Sequence, residues 1–152
     1  MKHTILFLCL LFTGIALIAQ TENQDYDPAL AKMLGADDYG MKTYVLVILK
    51  TGTYEEKDPV RRDSLFRGHM DNISRLAEMG KLVVAGPLGE NDASYRGIFI
   101  LDVSSLGEAR ELLITDPTIE AKIFETELFP WYGSAALPEY LKVHARIEKI
   151  HH

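Results

Sequence analysis

Residues Val60–Pro87 read VRRDSLFRGHMDNISRLAEMGKLVVAGP, and two periodicities meet inside them. As far as Gly80 the pattern is helical. Leu65, Phe66, Ile73, Leu76 and Ala77 fall on one face, with Arg67, Asp71, Ser74, Arg75 and Glu78 opposite. Gly80 supplies the helix stop. From Leu82 to Ala85 every residue is apolar and of strand character, and Gly86-Pro87 closes the run.

Working outward, Tyr44–Leu49 (YVLVIL) is an aliphatic, β-branched strand, separated from the helix by a charged loop at Thr51–Pro59. After a turn rich in Gly89, Asn91 and Asp92, a third strand runs from Tyr95 to Leu101. Ser104 or Ser105 caps a second helix through Leu113, and Thr115-Asp116-Pro117 starts a short helical turn. A fourth strand covers Ile123–Trp131, and Leu137 to Lys149 forms a final amphipathic helix. The order strand, helix, strand, strand, helix, strand is the split β-α-β arrangement of ferredoxin-like α+β folds, here with a C-terminal helix added. The expected divisions are a leader at 1–19, a polar N-terminal tail at 20–42 with a helical turn at Ala29–Leu34, one domain at 43–132 and a helical extension at 133–152.

Helices on one face of an antiparallel sheet leave the other face to alternate with polar residues. Val45–Leu49, Leu82–Ala85 and Ile98–Leu101 do not alternate; only Ile123–Phe129 does, through Glu125, Thr126 and Glu127. Something besides the helices must cover the second face. The sheet of a second copy, packed across a two-fold axis as a homodimer, is the simpler cover; the C-terminal helix folding back is the alternative.

The 152 residues suit one domain, and 47% hydrophobic with 25% charged residues marks an ordinary globular chain. A formal charge of −6 without a basic cluster argues against nucleic acid and anionic lipid, leaving small molecules and protein copies as partners. Lys2 and His3 precede an apolar run, Ile5–Ala19, that ends in polar Gln20-Thr21-Glu22-Asn23. This is the grammar of a secretory signal peptide, and about fifteen apolar residues fall short of the roughly twenty of a spanning helix. Export to the periplasm or beyond is therefore expected, with no membrane attachment after cleavage. Cys9 lies inside the leader, so the mature chain has no thiol for disulfides, nucleophilic catalysis or metal binding.

His69 sits near the centre of the stripe formed by Leu65, Phe66, Ile73 and Leu76, so its imidazole projects inward. Burial disfavours the charged form of such a group and a nearby carboxylate favours it. A core histidine satisfied by a backbone carbonyl fits the same spacing. Asp116 is explained locally, since Asp before Pro117 caps a short helix. Gly86-Pro87 needs nothing beyond a strand end and a turn. Arg62, two turns before His69, is placed either to hold an anionic substrate or to form a surface ion pair. His144 shares the apolar side of its helix with Leu137, Tyr140, Leu141 and Ile147; it reads as packing, and nothing in its spacing with His69 requires a metal. Trp131 and Tyr132 fit packing under the last helix, with the lining of a pocket mouth as the alternative. No G-x-G-x-x-G, P-loop, H-E-x-x-H or G-x-S-x-G motif is present, so no cofactor or metal is implied.

The helical His69, Gly80 eleven residues later, the strand ending Ala85-Gly86-Pro87 and the Asp116-Pro117 pair together resemble the YCII-related (YciI-like) family over about residues 43–131. The resemblance implies a ferredoxin-like fold pairing as a dimeric α/β barrel. It also implies a His69–Asp116 pair in a pocket; Arg62, Gly86 and Pro87 are the substrate-binding candidates beside that pair. Some relatives are similar to lyases that remove HCl from chlorinated hydroxyquinols, and the wider superfamily includes isomerases and monooxygenases of small aromatic compounds. Two functions follow as expectations. One is a cofactor-free lyase or isomerase with a His–Asp general base. The other is a non-catalytic dimeric module that binds a small ligand.

Overall fold

Each expected strand forms, and three of the four run longer than their apolar cores. The computed structural model describes residues 23–149; the leader, residues 1–19, lies outside them. In chain order the elements are α1 (Pro28–Leu34), β1 (Met41–Thr51), α2 (Pro59–Glu78), β2 (Leu82–Pro87), β3 (Tyr95–Leu101), α3 (Leu106–Leu113), α4 (Pro117–Glu120), β4 (Phe124–Ser134), a 3-10 turn (Leu137–Tyr140) and α5 (Leu141–Ile147). Strand β1 begins before its apolar run, and β4 ends beyond Trp131, for one reason. Met41–Thr43 pair antiparallel with Tyr132–Ser134 and extend both strands together.

Side-chain caps set the helix ends. Asp58 accepts from the Val60 amide at 3.0 Å and Pro59 opens α2, while Gly80 (φ 67°) turns the chain into β2. Of the two candidate serines, Ser105 caps α3, accepting from Glu108 N at 3.1 Å, and Glu108 Oε2 accepts from Ser104 N at 3.2 Å. The final helix divides in two. Pro138 lies in a 3-10 turn at its start, and α5 follows separately.

The sheet order is β2-β3-β1-β4 with every pairing antiparallel, the ferredoxin-like arrangement. The one strand that alternates, β4, is an edge. On the helix-covered face Val45, Val47 and Leu49 of β1, Phe99 and Leu101 of β3 and Leu82 of β2 pack with Leu76 of α2 and with Ala109 and Leu113 of α3. Each such large aliphatic side chain contributes about 1.5–3 kcal/mol by leaving water.

The opposite face is only partly closed. Tyr44, Val83 and Ile100 are buried there, with Leu46, Val84, Trp131 and Leu137 against them. The Tyr44 and Trp131 rings lie 5.6 Å apart, and the Tyr44 hydroxyl donates to the Ser134 carbonyl at 2.8 Å. Both Val83 and Val84 reach this cluster because the β2–β3 register slips between Leu82 and Val84. Leu137 thus brings the C-terminal segment over one end of the face. Leu46, Ile48, Val84 and Ile98 remain half-buried, and Phe129 is exposed. Among the described residues no helix is long and apolar enough to cross a membrane.

Candidate functional site

The site is assembled where α4 docks against α2. Gly68 makes the docking possible, because a Cβ at that position would stand 2.7 Å from Cγ of Pro117. With a bare backbone there, Pro117 packs on α2 and Asp116 arrives beside His69, 47 residues away in sequence. His69 Nδ1 lies 2.6 Å from Asp116 Oδ2, with the His69 side chain 11% exposed and the Asp116 side chain fully buried.

Asp116 both caps α4 and meets His69, because a carboxylate has two oxygens. Oδ1 accepts from the Thr118 amide at 2.9 Å, capping α4, and from Thr118 Oγ1 at 2.6 Å. Oδ2 is left for His69, with Asn72 Nδ2 at 3.5 Å. Asn72 is itself fixed: its Oδ1 accepts from Arg75 at 2.7 Å and from Thr115 Oγ1 at 3.0 Å. Burial pushes the Asp116 carboxyl up. The hydrogen bonds from His69 and Thr118 and the nearby imidazole charge outweigh that and hold it below the usual carboxylate range.

Aromatic rings surround the imidazole. Phe99 stacks on it at 6.1 Å and 27°, while Phe124 (5.6 Å) and Phe66 (6.4 Å) meet it edge-on. Since Nδ1 is engaged by Asp116, Nε2 is the ring nitrogen available to a ligand. His69 lines a cavity of about 740 Å³, within the range of small-molecule sites.

Gly86 and Pro87 line this cavity with His69, as does Arg96 of β3. Gly97 beside it is another close approach, since a Cβ there would lie 2.9 Å from the Gly86 carbonyl oxygen. Arg62 is placed elsewhere. It is exposed and lines a neighbouring depression, which shares Phe66, Phe124 and Arg96 with the main cavity. Arg96 is positioned by a bond from its Nε to Thr51 Oγ1 at 2.6 Å. Tyr140, Leu141, His144 and Glu148, from the C-terminal segment, also line the main cavity. Trp131 packs on Tyr44 on the far face of the sheet, and the Tyr132 hydroxyl donates to Asp37. Among the described residues no group of three or more His, Cys, Asp or Glu side chains is arranged to hold a metal ion.

Sequence reasoning does not single out Asn72, Thr118 or Arg96. Asn72 was within reach of it, because a residue one turn after His69 shares its helix face. Thr118 and Arg96 reach the site through docking and register that no local pattern encodes.

No curated protein matches the chain. Among solved structures, 5-chloro-2-hydroxyhydroquinone dehydrochlorinase from Burkholderia phenoliruptrix, in complex with 2,5-dihydroxybenzoquinone, is similar at 21% identity and a TM-score of 0.41. The likeness covers 57% of this chain and 92% of that one. The YCII-related domain matches residues 41–132, the greater part of the sequence and all the strands and helices from β1 to α4, and the chain therefore belongs to the YCII-related domain family.

Proposed function

We propose that this protein is a cofactor-free lyase or isomerase in which His69 is the general base acting on a small aromatic or enolisable compound. One observation carries the reading: an imidazole with Nδ1 bonded at 2.6 Å to a buried carboxylate and its other nitrogen left for a largely apolar cavity. Asp116 fixes the tautomer in which Nδ1 carries hydrogen, so Nε2 can take a proton from an acidic carbon or a phenol. The substrate keeps the electron pair as an enolate or phenolate, and the imidazolium is stabilised by the carboxylate. Where an anionic leaving group sits on the neighbouring carbon, the pair expels it and a double bond forms. Where none does, return of the proton to another carbon completes an isomerisation. Such a base supplies about 10²–10⁴ in rate.

Arg96 faces the developing anion better than Arg62, because Arg96 lines the cavity itself and is held by Thr51. Gly86 and Pro87 form a wall without long side chains, which leaves room for a planar ring. Pairing of two copies through the half-covered sheet face belongs to the same proposal, supported by Leu46, Ile48, Ile98 and exposed Phe129. Export through the leader is also part of it; N-terminal sequencing of the periplasmic protein tests that step, with Gln20 as the expected first residue.

The test of activity uses 2,5-dihydroxybenzoquinone, whose ring C–H groups exchange through a keto tautomer. Binding is read by calorimetry and proton transfer by loss of the ring ¹H signal in D₂O. Accelerated exchange that His69→Gln abolishes supports the enzyme. Binding with no acceleration sinks it and leaves a ligand-binding module.

A further inference from the structure

The YCII-related domain ends at residue 132, yet the cavity around His69 does not. Its remaining wall is built from the segment beyond the domain, where Tyr140, Leu141, His144 and Glu148 line the same space as His69. This segment is fastened at two points. Leu137 packs with Tyr44, Val83 and Ile100, and the Tyr140 hydroxyl donates to the Val83 carbonyl at 2.5 Å on the edge strand β2. The Tyr140 ring then meets His144 edge-on at 6.4 Å and helps to orient its imidazole.

Packing does not account for His144. It is exposed, and α5 has no buried residue, so an ordinary amphipathic helix face is not what the histidine serves. Its place on the cavity wall does account for it. We propose that the segment Leu137–Ile147 is the specificity-determining wall of the site, and that His144 hydrogen-bonds a second oxygen substituent on a ring whose first acidic group is at His69. The ligand class is a planar ring bearing two ionisable or carbonyl oxygens, such as a dihydroxylated quinone or a hydroxybenzoate. The inference rests on the reading of the cavity as a site for aromatic compounds.

The experiment compares 2,5-dihydroxybenzoquinone with phenol, which has one oxygen, on the full chain. Binding is measured by calorimetry, and the Cε1–H resonances of His69 and His144 are followed by NMR, assigned from His69→Gln and His144→Gln. Loss of one hydrogen bond to a charged oxygen weakens binding by about tenfold or more. His144→Ala is therefore expected to weaken the quinone by that factor and to leave phenol within about twofold, while His69→Gln weakens both. Tyr140→Phe, which removes only the anchor to Val83, weakens the quinone selectively and by less. Equal effects of His144→Ala on both probes, or no effect on either, overturn the proposal. If the quinone shifts the His69 resonance but not that of His144, the wall has no such role and the proposed function stands. If neither resonance moves, both readings fall.

Discussion

Replacing Asp116 by asparagine separates the two jobs that its carboxylate performs. Asparagine caps a helix about as well as aspartate. Turned with its carbonyl oxygen toward Thr118, it keeps the bonds that now measure 2.9 Å to the amide and 2.6 Å to Oγ1. It then presents an NH₂ to His69 Nδ1 in place of the oxygen now 2.6 Å away. Nδ1 must accept, Nε2 must carry the hydrogen, and the proposed base is in the wrong tautomer. The stability lost is one charge-assisted bond, roughly 1.5–3 kcal/mol. Alanine removes in addition the cap, about 1 kcal/mol, and strands His69 and Thr118 in a buried site, for a combined loss of roughly 3–5 kcal/mol. At roughly 3–5 °C per kcal/mol for a domain of this size, asparagine lowers the melting midpoint by roughly 5–15 °C and alanine by roughly 10–25 °C. Under the proposed function, proton exchange on 2,5-dihydroxybenzoquinone is lost in both. Calorimetric melting and the D₂O exchange assay read the two quantities separately. An asparagine variant that melts earlier yet exchanges at the wild-type rate would refute the dyad as the catalytic unit.

Gly68→Ala puts a methyl group 2.7 Å from the Pro117 ring. The gain in helix propensity is about 1 kcal/mol, but overpacking against a rigid ring costs about 1–3 kcal/mol, so net stability falls modestly and the His69–Asp116 contact lengthens; equilibrium urea unfolding and a crystal structure of the variant check both. Because the folded-state value of Asp116 is depressed below 3.8, its contribution to stability is complete above that value and is lost as pH falls through the lowered one. Urea midpoints measured downward from about pH 5 fall in the wild type, and Asp116→Asn flattens that fall. Ile48→Asp places a charge in the half-covered sheet face. Analytical ultracentrifugation is expected to give two chain masses for the wild type and one for the variant; a monomeric wild type ends the dimer proposal.

The strands and the long helix were legible because their signals are local. Val45–Leu49 is apolar throughout, and β1 indeed has Val45, Val47 and Leu49 buried on one face with Leu46 and Ile48 half-buried on the other. His69 was legible for a similar reason, since 100° per residue fixes where an α2 side chain points. The partner of His69 was not legible from periodicity. Asp116 has a sufficient local explanation as a cap, and its second role depends on how closely α4 can approach α2, which is decided by the absence of a side chain at Gly68. Only the motif resemblance brought the two residues together in advance. Arg62 shows the complementary limit: a helical stripe gives direction, but α2 is 20 residues long and its first turns reach a different depression.

The C-terminal segment shows what an amphipathic pattern leaves undecided. Leu137, Tyr140, Leu141 and His144 announce a face that meets the rest of the protein, yet two surfaces were open to it, the bare side of the sheet and the mouth of the His69 cavity. The chain divides the segment between them. Leu137 goes to the sheet, and the break at the 3-10 turn lets α5 turn to the cavity, with the Tyr140 hydroxyl on Val83 at the junction. A single straight helix over the sheet would have hidden Leu46 and Ile48 and left the cavity without this wall. The divided segment does the reverse. It leaves much of the sheet face half-covered and brings to the cavity wall His144, which lies beyond the residues that the family's domain matches.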